Sequence, residues 1–526
     1  MDPQRPSSKA CHNCRYSRLR CDRSVPACRK CTTTGKECLG YGKLYRWAGA
    51  VASRGKLAGN KLPVLNDSTW VAEGSAIKYK STATRDAVVS ANTRLCHSRT
   101  QALAFSSPSN QTIPWALVDP MFQDVHSVER QYLSYFTNRL CPDLVAIDLP
   151  GLNPFHELVP LSGAHPLLRH IVIAASATHM SNFLKPRAHN ELNRSQSSTH
   201  QALAASRRAA ADALVAKQRG LEALRLAIEE ASPLKSDILL AAAHFFIALE
   251  LIESGKHGWR AHLEGSGNVL RHLQPGGYSN KMLRDFIIAD CYISYIFAST
   301  VVNGLLASSS YFYTAQAPSV IRFASNNSYI CCPAEILQIL LAVARLSNEP
   351  SDDDISIARI TEEGMEHMNS AMSYDLDAWA CDIKNVPHGR QVTEIQSRTH
   401  AGRAHQLACC LYILYAVPSI RNHLPPDTEQ TLEQDLFLQL LSIPHGDPSF
   451  KTSPWPTFIA GAQARDPERQ AWSMSRMKRL ADCLPWGFVY TSIDTLQVIW
   501  DRRREDGAQH NWLQILKDPD VAFILV

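Results

Sequence analysis

Six cysteines between residues 11 and 38 repeat one spacing twice: Cys11-x2-Cys14-x6-Cys21 and, six residues on, Cys28-x2-Cys31-x6-Cys38. Thiolates at such spacing are metal ligands, and zinc takes four of them tetrahedrally. One ion would leave two thiols over, whereas two ions need eight ligand positions from six sulfurs. Two bridging thiolates close that gap, so the segment predicts a cage for two Zn2+ ions per chain. The other nine of the fifteen cysteines are scattered without such spacing. A disulfide framework is the competing reading, but the opening Met1-Asp2-Pro3-Gln4-Arg5-Pro6 has no apolar segment to route the chain to an oxidising compartment.

The run from Ala10 to Asp22, with Pro26 two residues before Cys28, resembles the Zn2Cys6 binuclear cluster of fungal transcription factors. The resemblance implies that Cys11 and Cys28 bridge the two ions, that Cys14 and Cys21 complete one site, and that Cys31 and Cys38 complete the other. It also implies a nuclear protein that places a short helix in the major groove of double-stranded DNA. The family's basic position matching Arg18 contacts bases, commonly of a CGG triplet, and the planar guanidinium fork suits guanine O6 and N7. Arg15 and Arg20 match positions that contact phosphate or hold the helix, and Arg23 and Lys30 extend the same basic set. Each arginine has the alternative of a phosphate contact without sequence content. Ser17 departs from a position that is often basic in the family, which predicts a lost contact or a shifted preference.

The charge distribution points the same way. The chain carries 54 basic and 49 acidic residues for a formal net charge of +5, but residues 1–62 alone hold fourteen Lys and Arg against Asp2, Asp22 and Glu37. A compact basic zinc module is the electrostatic footprint of a nucleic-acid binder. Residues 1–62 are therefore assigned to this module with a basic extension. In that extension Tyr45 and Trp47 interleave with Lys43 and Arg46, either as nucleic-acid contacts or as packing for the zinc module. Glycines at 40, 42, 49, 55 and 59 and Pro63 argue against a heptad coiled coil after the cluster. Residues 63–115, rich in Ser, Thr, Asn, Lys and Gly, read as a disordered linker.

From residue 116 to 526 the periodicity is helical, and the absence of alternating β-branched runs predicts an all-α body. Ser232-Pro233 starts and Ser254-Gly255 ends one element, with Ile238, Ala242, Phe245, Leu249 and Ile252 on one stripe and Leu239 and Phe246 beside it. In residues 202–229 the spacing sets Leu214, Leu221, Leu224 and Ile228 against a face bearing Arg208, Asp212, Lys217, Glu222, Arg225 and Glu229, which predicts that the leucine side is buried. Asp466-Pro467-Glu468 opens another helix. The apolar runs Ile238–Ile252 and Ile287–Ala307 contain His244, Glu250, Asp290 and Asn303, so they read as buried helices and the chain has no membrane partner.

The stretches Leu117–Phe136, Asp143–Leu161, Glu250–Leu270 and Cys483–Arg504 are similar to the fungal-specific transcription factor domain, with the acriflavine-sensitivity control proteins as the nearest group. The resemblance implies partners in the transcription machinery or coregulators. Any homodimer is expected to form through the helical body. No G-x-S-x-G, H-E-x-x-H, P-loop or dinucleotide glycine motif occurs there, so the chain does not read as an enzyme. His244, His257, His262 and His272, and the adjacent pairs Cys331-Cys332 and Cys409-Cys410, read as structural residues. In Trp259-x2-His262-Leu263 the spacing predicts a packed aromatic seam rather than a ligand pair. The run Asp352-Asp353-Asp354 reads as a solvated loop leading into a helix, with an acidic activation segment as the alternative. The competing function is a zinc-dependent nuclear adaptor or corepressor that binds protein instead of specific DNA.

Overall fold

Apolar residues recurring every three to four positions, punctuated by Asp, Asn and Pro caps, fold into helices throughout. The computed structural model describes residues 9–24, 27–35, 38, 125–149, 151–185, 196–230, 236–273, 281–302, 309–350, 353–382, 392–506 and 511–526, and no strand occurs among them. Tyr45, Trp47, the 63–115 linker and the Ser232-Pro233 helix start lie outside the described residues. The chain forms two compact units, Met1–Arg99 and Thr100–Val526.

In the first unit two five-residue helices, α1 (His12–Tyr16) and α2 (Arg29–Thr33), each begin directly after the first cysteine of a Cys-x2-Cys pair. Capping sets these starts: the Cys11 sulfur accepts the Cys14 backbone N–H and the Cys28 sulfur accepts that of Cys31, so each leading cysteine serves as the N-cap.

The second unit contains α3 (Ser127–Tyr135), α4 (Leu158–Ala164), α5 (Pro166–Leu184), α6 (Gln196–Glu229), α7 (Ser236–Glu253), α8 (Trp259–Arg271), α9 (Lys281–Val301), α10 (Ser309–Phe312), α11 (Ala317–Asn327) and α12 (Ala334–Leu346). It continues with α13 (Asp354–Ser373), α14 (Leu376–Cys381), α15 (Val392–Ala416), α16 (Thr428–Leu441), α17 (Pro454–Gln463), α18 (Pro467–Cys483), α19 (Gly487–Asp506) and α20 (Trp512–Leu516). Asp466 caps α18 through the Arg469 N–H, as the Asp-Pro-Glu run predicts. Asp353 caps α13 through the Ser356 N–H at 2.6 Å, which gives the acidic run a local structural role.

Helix α7 lies at the centre. It is buried on every side from Leu239 to Ile252, not along one stripe, because α5, α6, α8, α9 and α19 all pack on it. His244 and Glu250 are enclosed there. Glu250 and Glu253 both accept from Lys217 Nζ of α6, at 2.7 and 2.6 Å. Burial pushes the Glu250 carboxyl above its ordinary value, with the lysine opposing that shift. Gly258 is required beside it: its φ is +78°, and a Cβ there would stand 2.5 Å from the Glu250 carboxylate.

Most of the leucine side of α6 faces solvent, contrary to the reading from spacing, and of its four residues Leu224 alone is partly buried against the core. Leu214, Leu221 and Ile228 are exposed, and the buried side is Ser206, Ala209, Ala213, Ala216 and Gly220. The small residues win because α6 lies along nearly the whole of α5, and only they permit so close an approach. In the Trp259 segment, Trp259 and Leu263 are buried and the His262 ring stacks on Phe246 at 4.6 Å, the seam expected from the spacing. No described helix is long and apolar enough to cross a membrane.

Candidate metal centre and its basic face

The six sulfurs converge. Those of Cys11, Cys14, Cys21 and Cys28 all lie within 4.8 Å of one another, as do those of Cys11, Cys28, Cys31 and Cys38. The two tetrads share Cys11 and Cys28, so six thiols supply eight ligand positions. The Cys11 and Cys28 sulfurs are 3.5 Å apart, and the Cys11–Cys31 and Cys14–Cys28 pairs are each at 3.7 Å. A Zn–S bond of about 2.3 Å sets tetrahedral ligand sulfurs about 3.8 Å apart. The observed separations fit that edge and exceed a disulfide bond by far. The described cysteines are free thiols.

The hydrogen bonds repeat with the spacing. The Cys11 N–H donates to Cys21 Sγ at 3.4 Å, and seventeen residues on the Cys28 N–H donates to Cys38 Sγ at 3.5 Å. Such bonds favour sulfur anions. Burial, which opposes ionisation, dominates at Cys11 and Cys14, both held above the ordinary thiol range, and pushes Cys28 up to about 12. Burial raises Cys21 as well, yet the Cys11 and Arg23 backbone N–H groups outweigh it and bring this thiol down to about 7. Enclosed sulfurs in mutual contact need a cation to ionise together, and a metal supplies one.

The basic residues singled out in the sequence lie around this cage. Arg15, Arg18, Arg20, Arg23, Arg29 and Lys30 are all exposed, whereas Cys11, Cys14, Cys28 and Cys31 are buried. Tyr16 is 93% exposed, so α1 presents an aromatic ring as well as charge. Helix α1 ends in a Schellman turn, with Leu19 N–H donating to Cys14 C=O at 2.8 Å and Arg18 N–H to Arg15 C=O at 3.3 Å. Arg18 therefore stands at φ +52°, the left-handed region that favours glycine. Arg23 also has positive φ, at +61°.

Spacing alone missed two features. One is the left-handed backbone of Arg18, to which the six residues between Cys14 and Cys21 gave no direct clue. The other is Asp22, whose carboxylate is held below its usual range by the Ser24 hydroxyl at 2.5 Å and by the Arg29 and Lys30 backbone N–H groups. An acidic group at the start of α2 complements the helix dipole and ties the loop to the second half of the module.

In the helical body His179, His244 and the cysteine pairs are taken up by packing and hydrogen bonds within the fold. His179 bridges the Tyr135 hydroxyl and Asp143, each at 3.0 Å. His244 is enclosed between Phe155 and Phe245, and burial lowers it to about 4. Cys332, Cys409 and Cys410 are buried, and burial raises all three thiols. Among the described residues, only the six N-terminal cysteines group as metal ligands.

Residues 9–47 match the Fungal Zn(2)-Cys(6) binuclear cluster domain, and residues 131–526 match the Fungal specific transcription factor domain. The chain is 29% identical to the acriflavine sensitivity control protein acr-2 of Neurospora crassa, over all of this chain and 99% of that protein. No solved structure matches it.

Proposed function

The chain belongs to the fungal transcription factors that join a Zn2Cys6 cluster to a fungal-specific transcription factor domain, and on that premise we propose that its module reads a CGG-like triplet in double-stranded DNA. DNA binding and transcriptional regulation in the nucleus belong to this family, which is not one of enzymes. Two Zn2+ ions per chain would be held by Cys11, Cys14, Cys21 and Cys28 on one side and by Cys11, Cys28, Cys31 and Cys38 on the other. Bound metal cross-links a module too small to fold on a hydrophobic core.

The observation that carries the reading is Arg18. A non-glycine residue in the left-handed region costs roughly 1 to 2 kcal/mol. The module tolerates that cost at the exposed end of α1, where a long guanidinium projects from a fixed turn. A residue that only solvated the surface would gain nothing from this backbone. We assign Arg18 to guanine O6 and N7 in the major groove, with Arg15, Arg20, Arg23 and Lys30 on phosphates. Ser17, exposed at the C-cap of α1, removes one basic contact common in the family. Dimerisation through the helical body and recruitment of coregulators by that body complete the proposal.

The test is titration of the zinc-loaded full chain against duplexes with and without a CGG triplet, at fixed salt, because phosphate affinity depends steeply on ionic strength. A clear preference for the triplet, lost in Arg18→Ala, is the expected result. Equal affinity for all duplexes would favour the protein-binding adaptor instead.

A further inference from the structure

Helix α6 is packed with its small side chains inward and its large ones outward. A Cβ at Gly220 would stand 3.3 Å from Ile171 Cγ1 of α5 and 3.4 Å from the Phe246 ring of α7. With that side held so closely, Leu214 is 66%, Leu221 40% and Ile228 58% exposed. These three recur every seven residues, the period that keeps one seam of a helix against a second helix. The seam also has relief. Leu214, Lys217, Gln218 and Leu221 border a surface depression together with Glu222 and Arg225. The first four stand at i, i+3, i+4 and i+7, the set that frames a hole for a knob from a facing helix.

We propose that two copies of the chain pair along this seam, α6 against α6 and antiparallel, about a two-fold axis beside Gln218. The charges select both the partner and the direction. Exposed Arg207 and Arg208 lie toward the N-terminal half of α6, whereas toward its C-terminal half Glu222 and Glu229 both pair with Arg225 of the same helix, a cluster that keeps a net negative charge. Parallel pairing sets like charges together. Antiparallel pairing about Gln218 sets Leu214 against Leu221 of the second copy and Arg207 beside the second copy's Glu229. The pairing deepens the reading that any dimer forms through the helical body, and rests on it. In this register residues 207–229 of α6 overlap, about 35 Å of helix, so the seam offers roughly 350 Å² per copy. That is below the usual ~800 Å² per partner, and the dimer should be concentration-dependent.

Sedimentation velocity of the zinc-loaded full chain over a wide concentration range tests this. The unsubstituted chain should show a reversible monomer–dimer equilibrium, and Leu214→Glu with Leu221→Glu should raise its dissociation constant on the order of 100-fold. Both leucines are exposed, so the thermal melt should stay in place. Arg207→Glu should weaken the dimer and Glu229→Arg on the same chain should restore it, a rescue that parallel pairing cannot give. Gln218→Cys should form a disulfide-linked dimer that the parent chain does not. A dimer untouched by the α6 substitutions would overturn this interface while leaving dimerisation through the body intact. A chain monomeric at every concentration, its seam covered by its own residues, would overturn both.

Discussion

Arg18 and Gly35 occupy the same place in the two halves of the zinc module. They stand seventeen residues apart, the offset that relates Cys11 to Cys28, and each follows a five-residue helix with positive φ, +52° and +65°. The second half uses the residue that this backbone favours. The first half places an arginine there, so the two halves share a scaffold but differ in what they present.

Arg18→Gly separates the two roles. Glycine relieves the left-handed backbone, so the module should hold its fold as well as the parent or better by about 1 kcal/mol. The same change should cost about 1 to 3 kcal/mol on the preferred triplet and flatten base preference there. Lys30→Ala should weaken specific and random duplexes alike. Chelator-challenge melts and parallel DNA titrations read both quantities. Equal losses on specific and random DNA for Arg18→Gly would leave only a phosphate contact.

Zinc content should distinguish shared from unshared sulfurs. The full chain should hold two ions, Cys28→Ser should cost both, and Cys14→Ser should cripple one site first, because only Cys11 and Cys28 belong to both tetrads. Elemental analysis after gel filtration counts the ions. A parent chain with one tightly held ion would contradict the binuclear assignment.

Asp290 should make the helical body less stable as pH rises. It is enclosed on α9, accepts from the Ser328 hydroxyl at 2.5 Å, and has His244 Nε2 at 3.7 Å, with Tyr329 and Cys291 nearby. Burial pushes its carboxyl from 3.8 up to about 7, against the Ser328 hydrogen bond. Below the unfolded value both states are protonated and the group imposes no penalty. Between the two values the folded chain keeps a proton that the unfolded chain releases, so stability falls as pH rises through this window, by up to about 4 kcal/mol. His244, lowered by burial to about 4, acts in the opposite direction and costs stability as pH falls below its ordinary range. Asp290→Asn keeps an acceptor for Ser328, and its melting-temperature gain over the parent should grow from about pH 5 to about pH 8. A gain independent of pH would show that Asp290 is not protonated in the fold.

The Trp259 seam should prove structural. Trp259→Ala removes a buried ring and should cost about 3 to 5 kcal/mol of stability in the body. His262→Gln loses the stack on Phe246 but should leave zinc content unchanged. Calorimetry and elemental analysis on the full chain check the two. A metal ion lost on His262→Gln would reveal a site in the body.

The cysteine cage, the basic charge of its segment and the helical character of the body were legible in the sequence because each rests on local spacing. Two Cys-x2-Cys-x6-Cys runs bring ligands within reach whatever else the chain does, and Asp466 caps α18 from its own neighbourhood. Burial is a different matter. Leu214, Leu221 and Ile228 predicted the inner face of α6, yet Ala209, Ala213, Ala216 and Gly220 hold it, because α5 and α7 leave room only for small side chains. Nor does any local pattern pair Lys217 with Glu250, enclose Asp290 beside His244, or set Arg18 in a left-handed turn. A sequence states what each residue can bury or bind. Which of those capacities is used depends on neighbours brought from distant positions, and the tertiary packing supplied them.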